Sequence, residues 1–290
     1  MKTNSAVAGT VVLFNPSHEI FFNIGTYLAQ IDKLYIVDNS TSIEQGIQEK
    51  LLKLEKAVYI DNGGNRGISH ALNAGARRAL SDGYRYLLTM DQDTAVREKF
   101  VDTLIEGYRN NDDKVGLMTP RYTKKRETNG RYKKVLIAMT SGNLLNLAAY
   151  HHVGPFLDQL FIDHVDHEYC LRLQLNGYDV LQDNDLVIDH KPGQLVTVNL
   201  PGGRSKFSSQ ATTRLYYFCR NGFYVSELYR KTIPQFKKLF MSLLAKTIIK
   251  SFFEGDTIAR WKMLRKGYRD YRSGRFGSLK HIDPIQSSNG

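Results

Sequence analysis

The sequence predicts an α/β protein in which a mostly parallel central sheet is flanked by helices and followed by a helical extension. Strand and helix patterns alternate through the first half, and polar residues follow the predicted strands. The charge is also unevenly distributed, because residues 1–200 hold 22 basic and 24 acidic side chains whereas residues 201–290 hold 18 and 5. These features predict a nearly neutral body with a basic appendage that suits an anionic partner.

The first half has the pattern of a strand–helix repeat with short links. Its predicted strands are Val7–Phe14, Lys33–Val37, Ala57–Ile60, Tyr84–Met90 and Val115–Thr119. The predicted helices are Glu19–Gln30, Ile43–Leu54 and a third with small or apolar residues at Ile68, Ala71, Leu72, Gly75, Ala76 and Ala79. That spacing places them on one helix face. Such alternation favours a parallel sheet with helices on both faces, which binds ligands at the carboxyl ends of its strands.

The second half has a less regular pattern. The predictions along it are a charged loop at Arg121–Lys134, a strand at Val135–Leu147, a helix within Phe161–Asn176 that begins near Asp166, an extended segment at Tyr178–Ile188 and a loop at His190–Lys206. From Thr213 onwards the chain has the pattern of basic, aromatic-rich helices. We therefore predict one α/β body and a carboxyl-terminal helical extension.

The composition narrows the class of protein. A chain of 290 residues with 42% hydrophobic and 11% aromatic side chains can bury a sizeable core and does not have the composition of a disordered protein. Its two cysteines, Cys170 and Cys219, are too few for a disulfide framework and predict a reduced, cytosolic setting. The apolar stretch Leu239–Phe253 contains two lysines and is shorter than the ~18 residues that span a bilayer. We predict neither a spanning helix nor a signal peptide.

The triplet Asp91-Gln92-Asp93 directly follows a predicted buried strand. Two carboxylates at a strand end are hard oxygen ligands, which suit Mg²⁺ or Mn²⁺ and a phosphate bridged by the ion. Such triplets also occur in ordinary turns. The position after a buried strand makes a metal site more plausible for this triplet than for a triplet elsewhere in the chain.

The segment Asn62–Gly67 precedes the most regular predicted helix. Glycines allow the backbone to approach a ligand, and the helix start offers N–H groups to a negative charge. The spacing matches neither a P-loop nor a Rossmann dinucleotide motif. A turn that caps the helix is the alternative interpretation.

A third cluster, Asp163 to Glu168, combines acids and histidines at a predicted helix start. Asp163, Asp166 and His167 fall on one helix face, which favours a general base, although acids also stabilise helix starts without any catalytic role. The spacing of His164 and His167 lacks further nitrogen or thiolate ligands at the spacing of a zinc site, so zinc is disfavoured. His190, at a predicted strand end, is either a metal ligand or a structural histidine.

In this order, the motifs resemble those of bacterial rhamnosyltransferases among the family-2 glycosyltransferases, which have a GT-A fold. The stretches that carry the resemblance are NGGNRGISHALNAGARRA (62–79), LLTMDQDT (87–94), FIDHVDHEYCLRLQLNGYDV (161–180) and RLYYFCRN (214–221). The resemblance extends from Val7 to Asn221. It implies a glycosyltransferase domain at 1–212, with a nucleotide-sugar half at 1–120 and an acceptor half at 121–212, and basic helices at 213–290.

The resemblance also implies roles for individual residues. Asp38 matches the acid that binds the pyrimidine base, Asp91 the residue near the ribose, and Asp93 the metal ligand, with His190 joining the metal shell in some members. Asp166 matches the catalytic base. Val165 stands where many relatives have Glu, which leaves Asp163 and Glu168 as lesser candidates. The donor site implied as a whole comprises Phe14, Asn15, Asp38, Asn65, Arg66, Asn73, Asp91, Gln92 and Asp93, and the metal ligands are Asp93, Asp91 and His190.

The reaction implied is an inverting transfer that depends on Mn²⁺ or Mg²⁺. The expected donor is dTDP-β-L-rhamnose, and the acceptor is a hydroxyl of a glycan or lipid-linked saccharide in cell-surface polysaccharide synthesis. UDP-galactofuranose, UDP-glucose and UDP-N-acetylglucosamine are alternative donors, and a non-catalytic nucleotide-sugar or glycan-binding protein is the alternative class. A nucleic-acid partner is disfavoured, because no helix-turn-helix, zinc-finger or RNP motif is present.

The basic helices leave two alternatives open. Their apolar stripe consists of Phe236, Leu239, Phe240, Leu243, Leu244, Ile248, Ile249, Phe252 and Phe253, with lysines around it. An amphipathic helix of this kind suits an anionic leaflet, which would place a cytoplasmic protein at the inner face of the bacterial cell membrane. The same stripe suits packing on the body or on a second subunit in a homodimer.

Overall fold

The computed structural model describes residues 6–111, 114–122, 130–188, 195–200, 203–208, 211–253 and 255–279. The chain divides into two compact units. The first, here called the sheet unit, comprises Met1–Leu157 and Tyr169–His190. The second, the helical unit, comprises Asp158–Glu168 and Lys191–Gly290. The helical unit thus includes a segment well before the boundary at 212 that the sequence predicts.

The sheet unit is built on an eight-stranded mixed sheet with the order β3-β2-β1-β4-β7-β5-β8-β6. Its strands are β1 (Val7–Leu13), β2 (Lys33–Asp38), β3 (Ala57–Asp61), β4 (Tyr86–Asp91), β5 (Val115–Arg121), β6 (Tyr132–Lys134), β7 (Asn143–Asn146) and β8 (Asp179–Val187). The pairs among β1 to β4 are parallel, as is β5 with β8, whereas β6 and β7 pair antiparallel with their neighbours. The mostly parallel sheet predicted from the alternating pattern is confirmed.

Helices cover this sheet and form the helical unit. They are α1 (Glu19–Leu28), α2 (Gln45–Leu52), α3 (Ile68–Ser81), α4 (Phe100–Arg109), α5 (Leu147–Val153), α6 (Val165–Leu175), α7 (Thr212–Leu228), α8 (Pro234–Ser251) and α9 (Thr257–Arg272). The buried positions of α3 include Ala71, Leu72, Gly75, Ala76 and Ala79, as its spacing predicts. A Cβ at Gly75 would lie 2.2 Å from the Thr10 hydroxyl of β1, so only glycine permits this close approach of helix and strand.

The strand register brings the polar strand ends to one edge of the sheet. Leu13 of β1 pairs with Asp38 of β2, which in turn pairs with Asp61 of β3. On the other side of β1, Val12 pairs with Asp91 of β4. The residues that follow these strands therefore emerge together at the carboxyl edge, where α/β sheets bind ligands.

Two predictions for the second half are wrong, and a third, the loop at Arg121–Lys134, is wrong at its ends, because Arg121 ends β5 and Tyr132–Lys134 is β6. Val135–Leu147 is not one strand, because only Asn143–Asn146 is extended, as β7, and it runs antiparallel between β4 and β5 before α5 begins. An apolar run has no periodicity that indicates strand direction or a helix start within it. The predicted loop His190–Lys206 contains an antiparallel pair, β9 (Leu195–Leu200) and β10 (Gly203–Ser208). The Val-Thr-Val alternation in β9 is a strand signal. Residues 189–194 lie outside the described residues.

The structure divides the apolar stripe predicted for the basic helices. Phe236, Phe240 and Leu244 recur every four residues and are buried on α8, which packs on α7 within the helical unit. Ile249, Phe252 and Phe253, at the other end of the stripe, are exposed. No helix in the described part of the chain is long and apolar enough to cross a membrane.

Candidate active site

Asp38 lies at the end of β2 with its carboxylate fixed in place. It is 6% exposed, accepts a hydrogen bond from the Ser40 amide at 2.9 Å on one oxygen, and accepts one from the Tyr59 hydroxyl on the other. Burial raises the pKa of Tyr59, and the hydrogen bond to Asp38 raises it further, so this phenol stays neutral and donates. Each carboxylate oxygen can accept two hydrogen bonds. Asp38 is therefore oriented and retains acceptor capacity for a ligand.

Three asparagines connect the β2 end to the loop before α3. The buried Asn39 accepts hydrogen bonds on its side-chain oxygen from Asn62 at 3.1 Å and from the Arg66 amide at 2.9 Å, and it donates to Asn65 at 3.1 Å. Asn65 in turn accepts from the Gly67 amide at 3.1 Å. This network holds the loop in one shape while Asn65 and Arg66 remain exposed. The sequence indicates such a loop but not that Asn39 organises it.

The segment after β1 is held to the segment after β4 by a single glutamine. The Gln92 side chain accepts from the Phe14 amide at 2.7 Å and donates to the Phe14 carbonyl at 3.2 Å. Asn15 has a left-handed backbone with φ of 45°. Its side-chain oxygen accepts from the Thr41 amide at 3.2 Å. Gln92 thus joins the segments after β1 and β4, and Asn15 joins the segments after β1 and β2. The Phe14 ring is left 45% exposed.

Asp91 and Asp93 occupy the turn after β4. The buried Ser141 hydroxyl accepts from the Asp91 amide at 3.0 Å and donates to Thr94 at 2.9 Å, which fixes both ends of this turn. Asp93 is exposed and Asp91 is half-buried. Next to Asp91 lies Tyr27, whose pKa is raised by burial and further by the Asp91 carboxylate. Ser141 lies within the strand predicted at Val135–Leu147, and that prediction gives no indication of this contact.

A divalent ion that shares its ligands with a substrate fits this turn. No group of three or more His, Cys, Asp or Glu side chains that could hold a metal ion occurs among the described residues, so no closed protein cage is present there. Mg²⁺ and similar ions in phosphate sites use one or two carboxylates together with water and substrate phosphates. The two carboxylates of the turn match that donor set. His190, the third predicted ligand, lies outside the described residues.

Asn73 lies apart from the exposed loop residues. It is 1% exposed and accepts hydrogen bonds from the Tyr150 hydroxyl at 3.0 Å and the Phe156 amide at 2.9 Å. Its amide nitrogen donates to the Phe156 carbonyl at 2.8 Å. In the structure, Asn73 therefore joins α3 to α5 and to the segment that follows it.

In the helical unit, the three acids before and within the start of α6 have different surroundings. Asp163 pairs with Arg214, and burial raises the pKa of its carboxyl while Arg214 opposes that shift. Glu168 is 1% exposed and accepts from the Tyr229 hydroxyl at 2.9 Å. Asp166 is half-buried, and accepts from the His167 amide at 2.9 Å. Asp166 is thus the most accessible of the three.

The segment before α6 adopts a conformation that needs support. Phe161, Asp163 and His164 all have positive φ, between 62° and 65°, which costs energy for residues other than glycine. The Asn221 amide donates to three carbonyls of this segment, those of Leu160, Ile162 and Asp163, at 2.7 to 3.0 Å. These hydrogen bonds from Asn221 stabilise the strained backbone that leads to Asp166.

The buried Arg220 supports the same segment. Its guanidinium donates to the carbonyls of Gln159 and Leu160 at 3.3 and 3.1 Å and to that of Gly277 at 2.8 Å. The motif RLYYFCRN, which the sequence indicates only by resemblance, thus contributes Arg214, Arg220 and Asn221 as anchors of the loop before α6. Spacing alone does not predict these contacts, because their partners lie more than fifty residues away.

The two histidines of this segment face each other. The Nδ1 atoms of His164 and His167 are 3.0 Å apart, and His164 packs against Phe218, Phe236 and Phe240. Burial lowers the pKa of His164 well below its usual range, so the ring is neutral. Apolar rings on several sides of His164 favour a structural role over a metal site.

The structure thus brings most predicted donor residues to one edge of the sheet unit. Phe14, Asn15, Asp38, Asn65, Arg66, Asp91, Gln92 and Asp93 follow β1, β2, β3 or β4 or end one of them. Asn73 is buried on α3, and Asp166 belongs to the helical unit.

Comparison with known proteins gives a consistent assignment. Residues 22–168 match the family described as glycosyl transferase family 2. The chain is 25% identical to the dTDP-rhamnosyl transferase RfbF of Shigella flexneri over 278 residues, which are 85% of this chain and 88% of that protein.

Solved structures of S. aureus TarS have a similar fold. For residues 1–349 of TarS the TM-score is 0.52 at 11% identity, with 98% of this chain and 76% of that chain covered. For the same TarS region in complex with UDP-GlcNAc the TM-score is 0.51 at 13% identity, with 93% and 92% covered. At such low identity the likeness concerns the fold alone.

Proposed function

The chain belongs to glycosyl transferase family 2 and is a glycosyltransferase with a GT-A fold, and from this premise we propose that it transfers L-rhamnose from dTDP-β-L-rhamnose. The acceptor is a hydroxyl of a glycan or lipid-linked saccharide in cell-surface polysaccharide synthesis. The similarity to the dTDP-rhamnosyl transferase RfbF over most of both chains supports this donor. The observation that carries the proposal is the set of polar and acidic residues at the carboxyl edge of β1 to β4.

The donor nucleotide binds across that edge. Asp38 accepts a hydrogen bond from the pyrimidine base, since its carboxylate is held by Ser40 and Tyr59 and retains acceptor capacity. The exposed Phe14 ring offers an apolar surface beside it. Asn65 and Arg66 line the other side, on a loop whose shape Asn39 maintains.

A divalent cation, Mn²⁺ or Mg²⁺, would be held by Asp93 with Asp91 beside it in the β4 turn, and His190 is its third proposed ligand. When bound, such an ion offsets the charge that develops on the leaving diphosphate. The protein contributes a turn that Ser141 and Thr94 keep in place, so the backbone that carries the two carboxylates is fixed.

Asp166 removes the proton from the acceptor hydroxyl as that oxygen attacks the anomeric carbon. Its partial exposure suits a base that must meet an acceptor, whereas Asp163 is engaged by Arg214 and Glu168 by Tyr229. One displacement inverts the anomeric centre, so a β-linked donor gives an α-linked rhamnoside. The protein acts at the inner face of the cell membrane if its acceptor is lipid-linked.

Donor choice and metal dependence are tested together by thermal unfolding of the full chain with dTDP-, UDP- and GDP-sugars, with and without Mn²⁺. We expect dTDP-rhamnose with Mn²⁺ to give the largest stabilisation, about 2.7 kcal/mol at a concentration of about 100 times Kd. The variant Asp93→Asn should lose the Mn²⁺-dependent part, since the ion would lose its main ligand.

The matched control is Asp102→Asn, which changes an exposed acid on α4 and should respond like the unchanged protein. A larger shift with UDP-galactofuranose, UDP-glucose or UDP-N-acetylglucosamine would replace the proposed donor. An equal shift with and without Mn²⁺ would contradict metal dependence. If the chain binds a nucleotide sugar but releases no nucleotide diphosphate from it, a non-catalytic nucleotide-sugar-binding protein would be favoured over a glycosyltransferase.

A further inference from the structure

The turn between α8 and α9 carries large apolar side chains that face solvent. Ile249 lies in the last turn of α8, Phe252 and Phe253 directly follow that helix, and Ile258 and Trp261 lie near the start of α9. Their exposed fractions range from 39% for Trp261 to 74% for Ile258. The rings of Phe252 and Trp261 lie 5.3 Å apart, so the two helices contribute to one surface. These five residues are here called the apolar patch.

The apolar patch is not the face by which α8 packs. The buried positions of α8 include Phe236, Phe240 and Leu244, and the Phe240 ring approaches Gly222 of α7 so closely that a Cβ there would lie 2.0 Å away. That packing leaves the patch on a different side of the helix. A large contiguous apolar surface that is exposed on a folded protein commonly marks a site of contact with a membrane, a protein or a ligand.

The surroundings of the patch are strongly basic. The exposed basic side chains of α8 and α9 are Lys237, Lys238, Lys246, Lys262, Arg265, Arg269 and Arg272. Among acids, Asp256 is exposed in the turn and Glu254, two residues before it, lies outside the described residues. Asp270 is buried and paired with Lys266 and Arg275 at 3.0 and 2.6 Å. The described exposed surface of α8, α9 and the turn between them therefore has an excess of cations, and three of these, Lys246, Lys262 and Arg265, lie within four residues of a patch residue.

We propose that the apolar patch and its basic surroundings dock the protein on an anionic lipid bilayer, with the patch at the level of the headgroups and upper acyl chains. Helices that lie in a membrane interface have an apolar face next to a polar face rich in lysine and arginine, as this surface does. Anionic lipids attract each such cation near the surface. Trp261 suits this depth, because its ring is apolar with one polar N–H.

Two other occupants fit less well. An anionic polymer would neutralise the cations but leave the aromatic and aliphatic side chains in water. A second copy of the chain would bury the patch, but would bring two identical sets of cations together, and like charges repel. A lipid surface satisfies both the apolar and the basic part. The inference does not depend on the donor sugar, so sugar transfer and lipid binding can fail separately.

Trp261 is the single tryptophan of the chain and belongs to the apolar patch. Its fluorescence therefore reports directly on whether the patch enters a lipid bilayer. The full chain is mixed with vesicles of phosphatidylglycerol or of phosphatidylcholine alone, and fluorescence and co-sedimentation are recorded. We expect a blue shift and binding with phosphatidylglycerol, quenching by brominated acyl chains, and at least about tenfold weaker binding to phosphatidylcholine. High salt should reduce the binding.

The test variant is Ile249→Asp with Phe253→Asp, which places two acids in the patch without changing Trp261. The matched control is Met241→Asp with Gln235→Asp, at exposed positions of α8 outside the patch. We expect the test variant to lose about tenfold or more in vesicle binding, more than the control, while both unfold at the temperature of the unchanged protein. The triple variant Lys246→Gln, Lys262→Gln, Arg265→Gln should weaken binding to phosphatidylglycerol without adding an acid.

Several results would overturn the proposal. They are no binding to phosphatidylglycerol vesicles, equal binding by the patch and control variants, or a Trp261 emission that does not change on the vesicle. A dimer in size-exclusion chromatography that the patch variant alone disrupts, without vesicle binding, would make the patch a subunit interface. Nucleotide release from dTDP-rhamnose in solution serves as the separate readout for sugar transfer.

Discussion

Replacing Asp166 by Asn should reduce kcat by about 10²–10⁴, the range that a positioned general base contributes. The amide cannot take the proton of the acceptor hydroxyl, although it keeps nearly the same size and can still accept from the His167 amide. Because a base acts in the transition state, binding of dTDP-rhamnose should be nearly unchanged. The measurement is release of dTDP from dTDP-rhamnose, with water as the acceptor when no saccharide is supplied, beside a donor titration.

The matched control for this prediction is Glu168→Gln, two residues further along α6. The Gln side-chain oxygen can still accept from Tyr229 in the buried site, so dTDP release should remain near that of the unchanged protein. Near-normal release by Asp166→Asn, with donor still bound, would show that Asp166 is not the base. Loss of activity in Glu168→Gln alone would transfer that role to Glu168.

Replacing Arg220 by Ala should lower the free energy of unfolding of the helical unit by roughly 3–5 kcal/mol, the cost of breaking a buried charged network. Arg220 is 0% exposed, and its guanidinium lies 5.1 Å from the ring centroids of Tyr216 and Tyr217. The substitution leaves the carbonyls of Gln159, Leu160 and Gly277 without this donor and opens a cavity among aromatic rings. Thermal and urea unfolding of the full chain measure the loss.

The control for Arg220 is Arg230→Ala. Arg230 is exposed and pairs with Glu227 at 3.3 Å, and such surface pairs contribute about 0–1 kcal/mol. At temperatures where the Arg220→Ala variant is still folded, it should also release dTDP more slowly, because the segment before Asp166 loses the hydrogen bonds from Arg220. An unfolding midpoint equal to that of Arg230→Ala would show that the buried guanidinium does not stabilise this unit.

Local periodicity predicts the part of the fold around the donor edge. The first four strands and α3 follow from apolar runs and a 3.6-residue stripe, and the carboxyl-edge position of Asp38 and Asp91 follows from parallel topology. The antiparallel β7 and the helices α4 and α5 do not follow, since strand direction and these helix starts depend on contacts distant in sequence. Phe100 and Leu104 of α4, for example, are both fully buried in the core of the sheet unit.

Some site residues can likewise be predicted from the sequence, whereas the contacts that hold them in place cannot. Residue type and position indicate the acids of the strand ends, but not the network by which Asn39 shapes the 62–67 loop or the contact of Ser141 with the β4 turn. Asn73 lies on α3, where the family resemblance implies a place near the donor but does not show that its amide is used by Tyr150 and Phe156. Such pairings are tertiary, and a single sequence has no signal for them.

The anomeric configuration of the released sugar tests the proposed one-step displacement most directly. The full chain is given dTDP-β-L-rhamnose and Mn²⁺ with water as acceptor, and early proton NMR spectra are recorded before the free sugar equilibrates. A single displacement assisted by Asp166 predicts that α-L-rhamnose appears first. First appearance of the β-anomer would contradict it, because retention requires two displacements or a different course of reaction.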